Sequence, residues 1–245
     1  MHTLTTAPAP AWTPASLGAD LIAWFDVRHG LTFPGGMASW ADVRGAGHPV
    51  ASALGSSPTL DPTGIAGGPG LLFDHYLEKL VVDTQFPIGN AHRHYILMFI
   101  PQSVGTGTGY PLWTGPAPAS GGIYFAIGLQ YTSVPRLHAG SGSGYGFANL
   151  APPSSIMSNT LQMANAYFDG AEAGIAKNNN AHTTVSPVIL NTGGASLPMI
   201  GQRPGGGTTT DFVGHLGMLA AVSRRLTPDE LTKFLDYYNN DFAMW

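Results

Sequence analysis

An all-β domain closed by a single C-terminal helix is what this sequence predicts, and three observations carry the prediction. The 245 residues are 44% hydrophobic but only 10% charged, so a core is available while long amphipathic helices are not. The 33 glycines and 20 prolines demand many tight turns. The apolar residues fall in short runs, each too brief for a stable helix.

The elements follow in chain order. Pro8, Pro10 and Pro14 make residues 1–19 an expected extended tail, a docking segment ahead of a domain at 20–245. Leu21 to Phe25, ending in Asp26, reads as a buried strand, and Met37 to Asp42 alternates loosely. From Val50 to Gly70 the Gly, Pro and Ser content predicts an irregular surface excursion. Leu71-Leu72-Phe73 is another strand, and Tyr95 to Ile100 is the strongest, stopped by Pro101. Gly122 to Gln130, Arg136 to Ala139 and Asn159 to Phe168 continue the pattern. Asp169-Gly170 predicts a tight type I′ hairpin, Lys177 to Asn180 a further turn, and Asp211 to Val222 two strand-like stretches. Thr227-Pro228-Asp229-Glu230 is a capping box, and Leu231, Phe234, Leu235 and Tyr238 then fall on one helical face.

Composition also excludes function classes. The net charge is −4 and the ten basic residues are scattered, so nucleic acid is not an expected partner. No apolar run approaches the roughly 20 residues of a membrane span. Met1 to Pro14 lacks a basic start followed by an apolar stretch, and there is no cysteine for a disulfide or thiolate site. That combination suits a protein made in the cytoplasm that later works somewhere harsher, as virion parts do.

Ordered motifs add a family. Trp24-Phe25-Asp26, Ser39-Trp40-Ala41-Asp42 with Gly45-Ala46-Gly47-His48, and Leu72-Phe73-Asp74 resemble the opening of laminin-G-like domains of the concanavalin A-like lectin/glucanase superfamily. Ala166 to Gly170 is similar to that family's central hairpin, Ile200-Gly201-Gln202-Arg203 to its late I-G-x-R, and Gly214 to Thr227 to its closing segment. The chain departs from the pattern at Gly217, where an acid is usual, and at His75, where a glycine is usual. The resemblance spans residues 20 to 243 and implies a two-sheet antiparallel jelly-roll sandwich. It also implies the family's settings: carbohydrate-binding modules, adhesins, and spikes, fibres or decorations of phage-like particles.

Catalytic chemistry is not expected. Glycosidic cleavage needs two carboxylates flanking the bond, and Glu78, Glu172 and Glu230 are the sole glutamates. In glucanases of the superfamily the acids share one strand as E-x-D-x-x-E, which this chain lacks. Gly140 to Gly144 carries Gly-x-Ser-x-Gly letters without the strand–helix setting of a nucleophile elbow. His92 and His94 have metal-capable spacing but also read as a polar strand entry. The resemblance offers Asp26, Asp42 and Asp74 as calcium ligands, the one cofactor considered, with turn capping as the alternative.

Sugar recognition pairs aromatic faces with polar donors. Tyr110, Trp113 and Tyr145 stand in Gly-rich stretches, while Asn178, Asn179, Asn180 and Arg203 could supply polar contacts; each also has a purely structural reading. The expectation is therefore a virion or phage-like particle structural protein that binds rather than catalyses. It would be oligomeric, docked to other particle proteins through its tail, and attach to host surface glycans. The alternatives are a secreted carbohydrate-binding module or adhesin and, third, a glycoside hydrolase.

Overall fold

The computed structural model describes residues 12–75, 77–102, 108–116, 124–130, 136–138, 159–186, 190, 192, 196–205 and 211–242. Pro14–Asp20 form a 3-10 helix, followed by β1 (Leu21–Asp26), β2 (Leu31–Thr32), a 3-10 turn at Pro34–Gly36, β3 (Ser39–Ala41), β4 (Val50–Ala53), β5 (Thr59–Ile65) and β6 (Gly68–Phe73). Then come β7 (Leu80–Val82), β8 (Arg93–Pro101), β9 (Thr108–Thr114), β10 (Phe125–Gln130), β11 (Arg136–His138) and β12 (Gln162–Phe168). The last elements are β13 (Ala173–Lys177), β14 (Thr183–Val185), β15 (Met199–Ile200), β16 (Gly214–Val222) and α1 (Pro228–Phe242).

These strands form two antiparallel sheets, as the sequence predicts. The first runs β14-β13-β12-β8-β16-β6-β5, with β1 also on β16; the second runs β11-β10-β9-β15-β7-β4-β3-β2. Their facing sides share one core, which includes Phe25, Trp40, Phe73, Tyr95, Phe99, Phe125 and Phe168. A third layer lies outside the first sheet. There α1 lays Phe234, Leu235 and Tyr238 on Trp24, Ile96, Met98, Met163 and Met218. With both faces covered, β8 and β12 need apolar residues on both, which is why they read as continuous runs rather than alternations.

Ion pairs and a helix cap fix this packing. Asp42 accepts the Trp24 N–H at 2.7 Å and the Arg44 guanidinium at 2.7–2.8 Å, and Arg44 donates onward to the carbonyls of Leu21 and Ile22. At the helix start the capping box is closed in both directions, Glu230 N–H to Thr227 Oγ1 at 3.3 Å and Thr227 N–H to Glu230 Oε2 at 2.9 Å. Arg224 spans Glu230 and Asp20, and its charge and hydrogen bond hold the Glu230 carboxyl down at about 2. Thr227→Ala is expected to cost about 1 kcal/mol, read as a lowered urea midpoint with unchanged m-value.

The structure differs from the sequence expectation in four places. Residues 50–70 are not an irregular excursion, since they hold β4, β5 and the start of β6. As an edge strand with mostly exposed side chains, β5 tolerates Pro62 and Gly64 and leaves no apolar alternation to read. The hairpin after β12 turns around Gly170-Ala171, with φ of +93° at Gly170 and none at Asp169. Its Asp169 carboxylate accepts the N–H groups of Ala171 and Glu172, so a type I′ turn is unnecessary. The two stretches of 211–222 are one strand, bulged at Gly217. A Cβ at Gly217 would lie 2.6 Å from Met98 Cε and 3.2 Å from Ile65 Cγ1, so the acid usual at this position in the resembled family would have to shift the Met98 tip and enter apolar surroundings. Finally, the segment expected as an extended tail is coiled over Pro14–Asp20, where Pro14 and Leu17 are buried.

Candidate functional site

On the outer face of the second sheet, Trp113 of β9 stands in a row between Ala126 of β10 and Met199 of β15. Tyr110 lies three residues before Trp113, and strand alternation would place the two on opposite faces. A bulge prevents this: Gly109 pairs with Leu129 and Leu112 with Ile127, so β9 carries one residue more than β10. The Tyr110 ring therefore meets Trp113 edge to face, with centroids 5.1 Å apart, and Tyr124 stacks on the indole at 3.9 Å.

Arg203 enters this face from β15. Ile200 is in the core, and Gly201 has φ of +90°, where any Cβ would strike the Phe73 ring at 2.4 Å. Only glycine allows this crossing, after which Gln202 is buried and donates to Asp211 at 2.7 Å. The next residue, Arg203, carries its charge close enough to act on both Tyr110 and Tyr124. Burial pushes the Tyr110 phenol up to about 12 and raises that of Tyr124 as well. Arg203 Nε is buried and has no hydrogen-bond acceptor among the described residues. Since a guanidinium donor out of water without an acceptor is unfavourable, this atom is set up to receive one.

The other candidate residues are elsewhere. Trp113 itself is fully buried and donates its indole N–H to the carbonyls of Gly115 and Pro116, so it anchors the face from beneath. Tyr145 lies outside the described residues. Asn178, Asn179 and Asn180 follow β13 on the first sheet, away from Arg203. Asn178 has φ of +53° and accepts the Met163 N–H, whereas Asn179 and Asn180 line a groove of about 340 Å³ against Pro228, Leu231 and Leu235.

For calcium, the geometry is less accommodating. The Asp26 oxygens accept from Arg28 and Tyr238, and those of Asp42 from Trp24 and Arg44. Asp74 is 40% exposed beside His75. No group of three or more His, Cys, Asp or Glu among the described residues could hold a metal. His92 is exposed, whereas His94 is buried, accepting the Leu226 N–H at 3.2 Å and facing Asn165 at 3.4 Å. Glu78 accepts the Asp74 and His75 N–H groups, Glu172 bonds Tyr167 and Arg225, and Glu230 serves the helix cap.

Tyr124 and Trp12 escaped the sequence reading. Tyr124 opens a strand already recognised, so its role depended on knowing which face it takes. Trp12 sits in a Pro-rich stretch that gives no pattern to read.

Together these features define a two-sheet antiparallel β-sandwich with one C-terminal helix and an aromatic–arginine face. Solved structures share the architecture. Trypanosoma rangeli sialidase in complex with sialic acid aligns at a TM-score of 0.61 and 16% identity, covering 91% of this chain and 33% of the sialidase. The same sialidase with a difluoro-KDN ligand aligns at 0.60 and 17%, covering 96% of this chain and 36% of the sialidase. The CBM40 of Ruminococcus gnavus IT-sialidase, bound to alpha2,6 sialyllactose, aligns at 0.51 and 11%, covering 66% of this chain and 94% of the module. This chain thus spans about a third of the sialidases' length, and at such identities the fold is what is shared. No protein-family model and no curated protein sequence matches the chain.

These matches overturn the expectation that the chain is not an enzyme. The same fold occurs within sialidase chains, so a missing carboxylate pair does not set this sequence apart from enzymes.

Proposed function

We propose that the chain recognises glycans through the outer face of the second sheet. The observation that carries this reading is the buried Arg203 Nε, which has no acceptor among the described residues and whose charge acts on Tyr110 and Tyr124. A guanidinium takes a carboxylate through paired hydrogen bonds, and the aromatic edges give a sugar ring an apolar surface. An acidic sugar joins both requirements. The sialyllactose held by the R. gnavus module is therefore the first probe. On a phage-like particle, docking through residues 1–19 would leave this face free to meet host glycans; a secreted module would use the same face.

Sialyllactose titrated into the protein is expected to bind, with Arg203→Gln and Tyr124→Ala each weakening it at least tenfold while thermal unfolding stays near that of the parent. Neutral lactose serves as the control for the carboxylate. Absence of binding on a glycan array, or affinity unchanged in both variants, would remove this reading.

A further inference from the structure

We propose that a second carbohydrate site, selective for neutral sugars, lies in the groove between Trp12 and α1. This groove of about 400 Å³ is lined by Trp12, Lys233, Asp236, Tyr237, Asn240 and Asp241 together with Thr13. Its volume suits one or two pyranose rings, within the roughly 300–1,000 Å³ of small-ligand sites. It belongs to the helix layer outside the first sheet, and so is separate from the Arg203 face.

The helix supplies its wall by spacing alone. Lys233, Asp236, Tyr237 and Asn240 stand at i, i+3, i+4 and i+7, so one face of α1 presents them together. The buried stripe of the same helix fixes the rings. Trp12 is held edge to face against Phe234 with centroids 6.1 Å apart, and Tyr237 against Trp24 at 6.1 Å. Both rings are half-buried and already oriented, so a ligand would lose little freedom in ordering them.

Electrostatics then select the ligand. Lys233 is paired with Asp229 at 2.7 Å, and Asp241 with Arg28 at 2.5 Å. The Asp236 and Asn240 side chains are exposed and take part in no side-chain hydrogen bond among the described residues. The groove therefore offers two aromatic rings, a carboxylate that accepts from hydroxyls, and an amide that both donates and accepts. Pyranose C–H faces and vicinal hydroxyls match that set. With its lysine already neutralised, the groove repels an anionic sugar, the opposite of the Arg203 face.

The test is ligand-observed NMR and titration of the whole chain with methyl β-galactoside, methyl α-glucoside, lactose and maltotriose. At least one is expected to bind, with Trp12→Ala and Asp236→Ala each weakening it at least tenfold and Tyr124→Ala leaving it unchanged. Since Trp12 also packs on Phe234, the surface variant Asp236→Ala and its partner Asn240→Ala keep the test valid if Trp12→Ala unfolds. The proposal is overturned if none of the four saccharides binds, or if binding survives Asp236→Ala and Asn240→Ala together. Loss with Arg203→Gln or Tyr124→Ala alone would likewise overturn it, assigning neutral sugars to the other face.

Discussion

Replacing Asp26 by alanine is expected to destabilise the protein by about 3–5 kcal/mol, a loss on the order of 10 °C in Tm for a chain of this size. Asp26 closes β1, has no solvent exposure, and lies where that strand meets α1. Its Oδ1 accepts the Arg28 N–H at 3.0 Å and Nε at 2.9 Å, while Oδ2 accepts Arg28 Nη2 at 2.5 Å and the Tyr238 hydroxyl at 3.1 Å. That hydroxyl in turn accepts the Trp24 indole N–H at 2.6 Å. Burial opposes the Arg28 charge, yet the Asp26 hydrogen bond and charge hold its pKa above the ordinary value. Removing the carboxylate would leave the half-buried Arg28 cation with the exposed Asp241 as its remaining carboxylate and the buried Tyr238 phenol without its acceptor. Tyr238→Phe removes two bonds, the one given to Asp26 and the one taken from the Trp24 indole, but leaves the Asp26–Arg28 pair intact, so about 2 kcal/mol is expected there. Urea unfolding of the two variants checks this; an Asp26→Ala loss under about 1 kcal/mol would show the network to be dispensable.

Acid is expected to loosen the same layer. Burial, with the nearby His182, lowers the His94 pKa to about 3; burial, with the Arg225 charge, lowers that of His182 to about 4. Both values lie below the roughly 6.5 of an unfolded histidine, so between them the unfolded chain binds protons that the folded chain refuses. This stability is fully present above about pH 6.5 and is lost as pH falls through 6.5 toward 4 and then 3. For the fully buried His94 the loss between pH 7 and 4.5 is about 2–3 kcal/mol, or roughly 5–10 °C in Tm. The exposed part of His182 adds less. His94 Nδ1 accepts the Leu226 N–H just before α1, so protonation would break the link that leads into the helix. Thermal melts at pH 7 and 4.5 test the effect, with His94→Gln keeping an acceptor for Leu226 but no titration. An equal drop in parent and variant would place the acid sensitivity in other groups.

Strand identity was legible wherever a strand is covered on both sides. β8, β12 and the helix stripe announce themselves because two apolar faces, or one at helical spacing, leave a pattern in the chain. β5 left none, since an edge strand over solvent can carry Thr, Pro and Gly. For the site, the sequence named Tyr110, Trp113 and Arg203 by residue type but could not join them. The bulge in β9, the glycine crossing at Gly201 and the opposite-sheet origin of Asn178 to Asn180 are matters of register. Function was less legible still, for counting carboxylates said nothing about the company this fold keeps in sialidases.

Sequence alone determined the all-β class and the C-terminal helix with its Thr227–Glu230 cap, because each follows from local spacing and composition. Tertiary structure decided which polar groups are left unsatisfied and where. Arg203 finds its aromatic neighbours across β9 and β10, and Trp12 meets α1 more than 200 residues away in sequence. Those contacts arise from strand order and sheet packing, which no local pattern encodes.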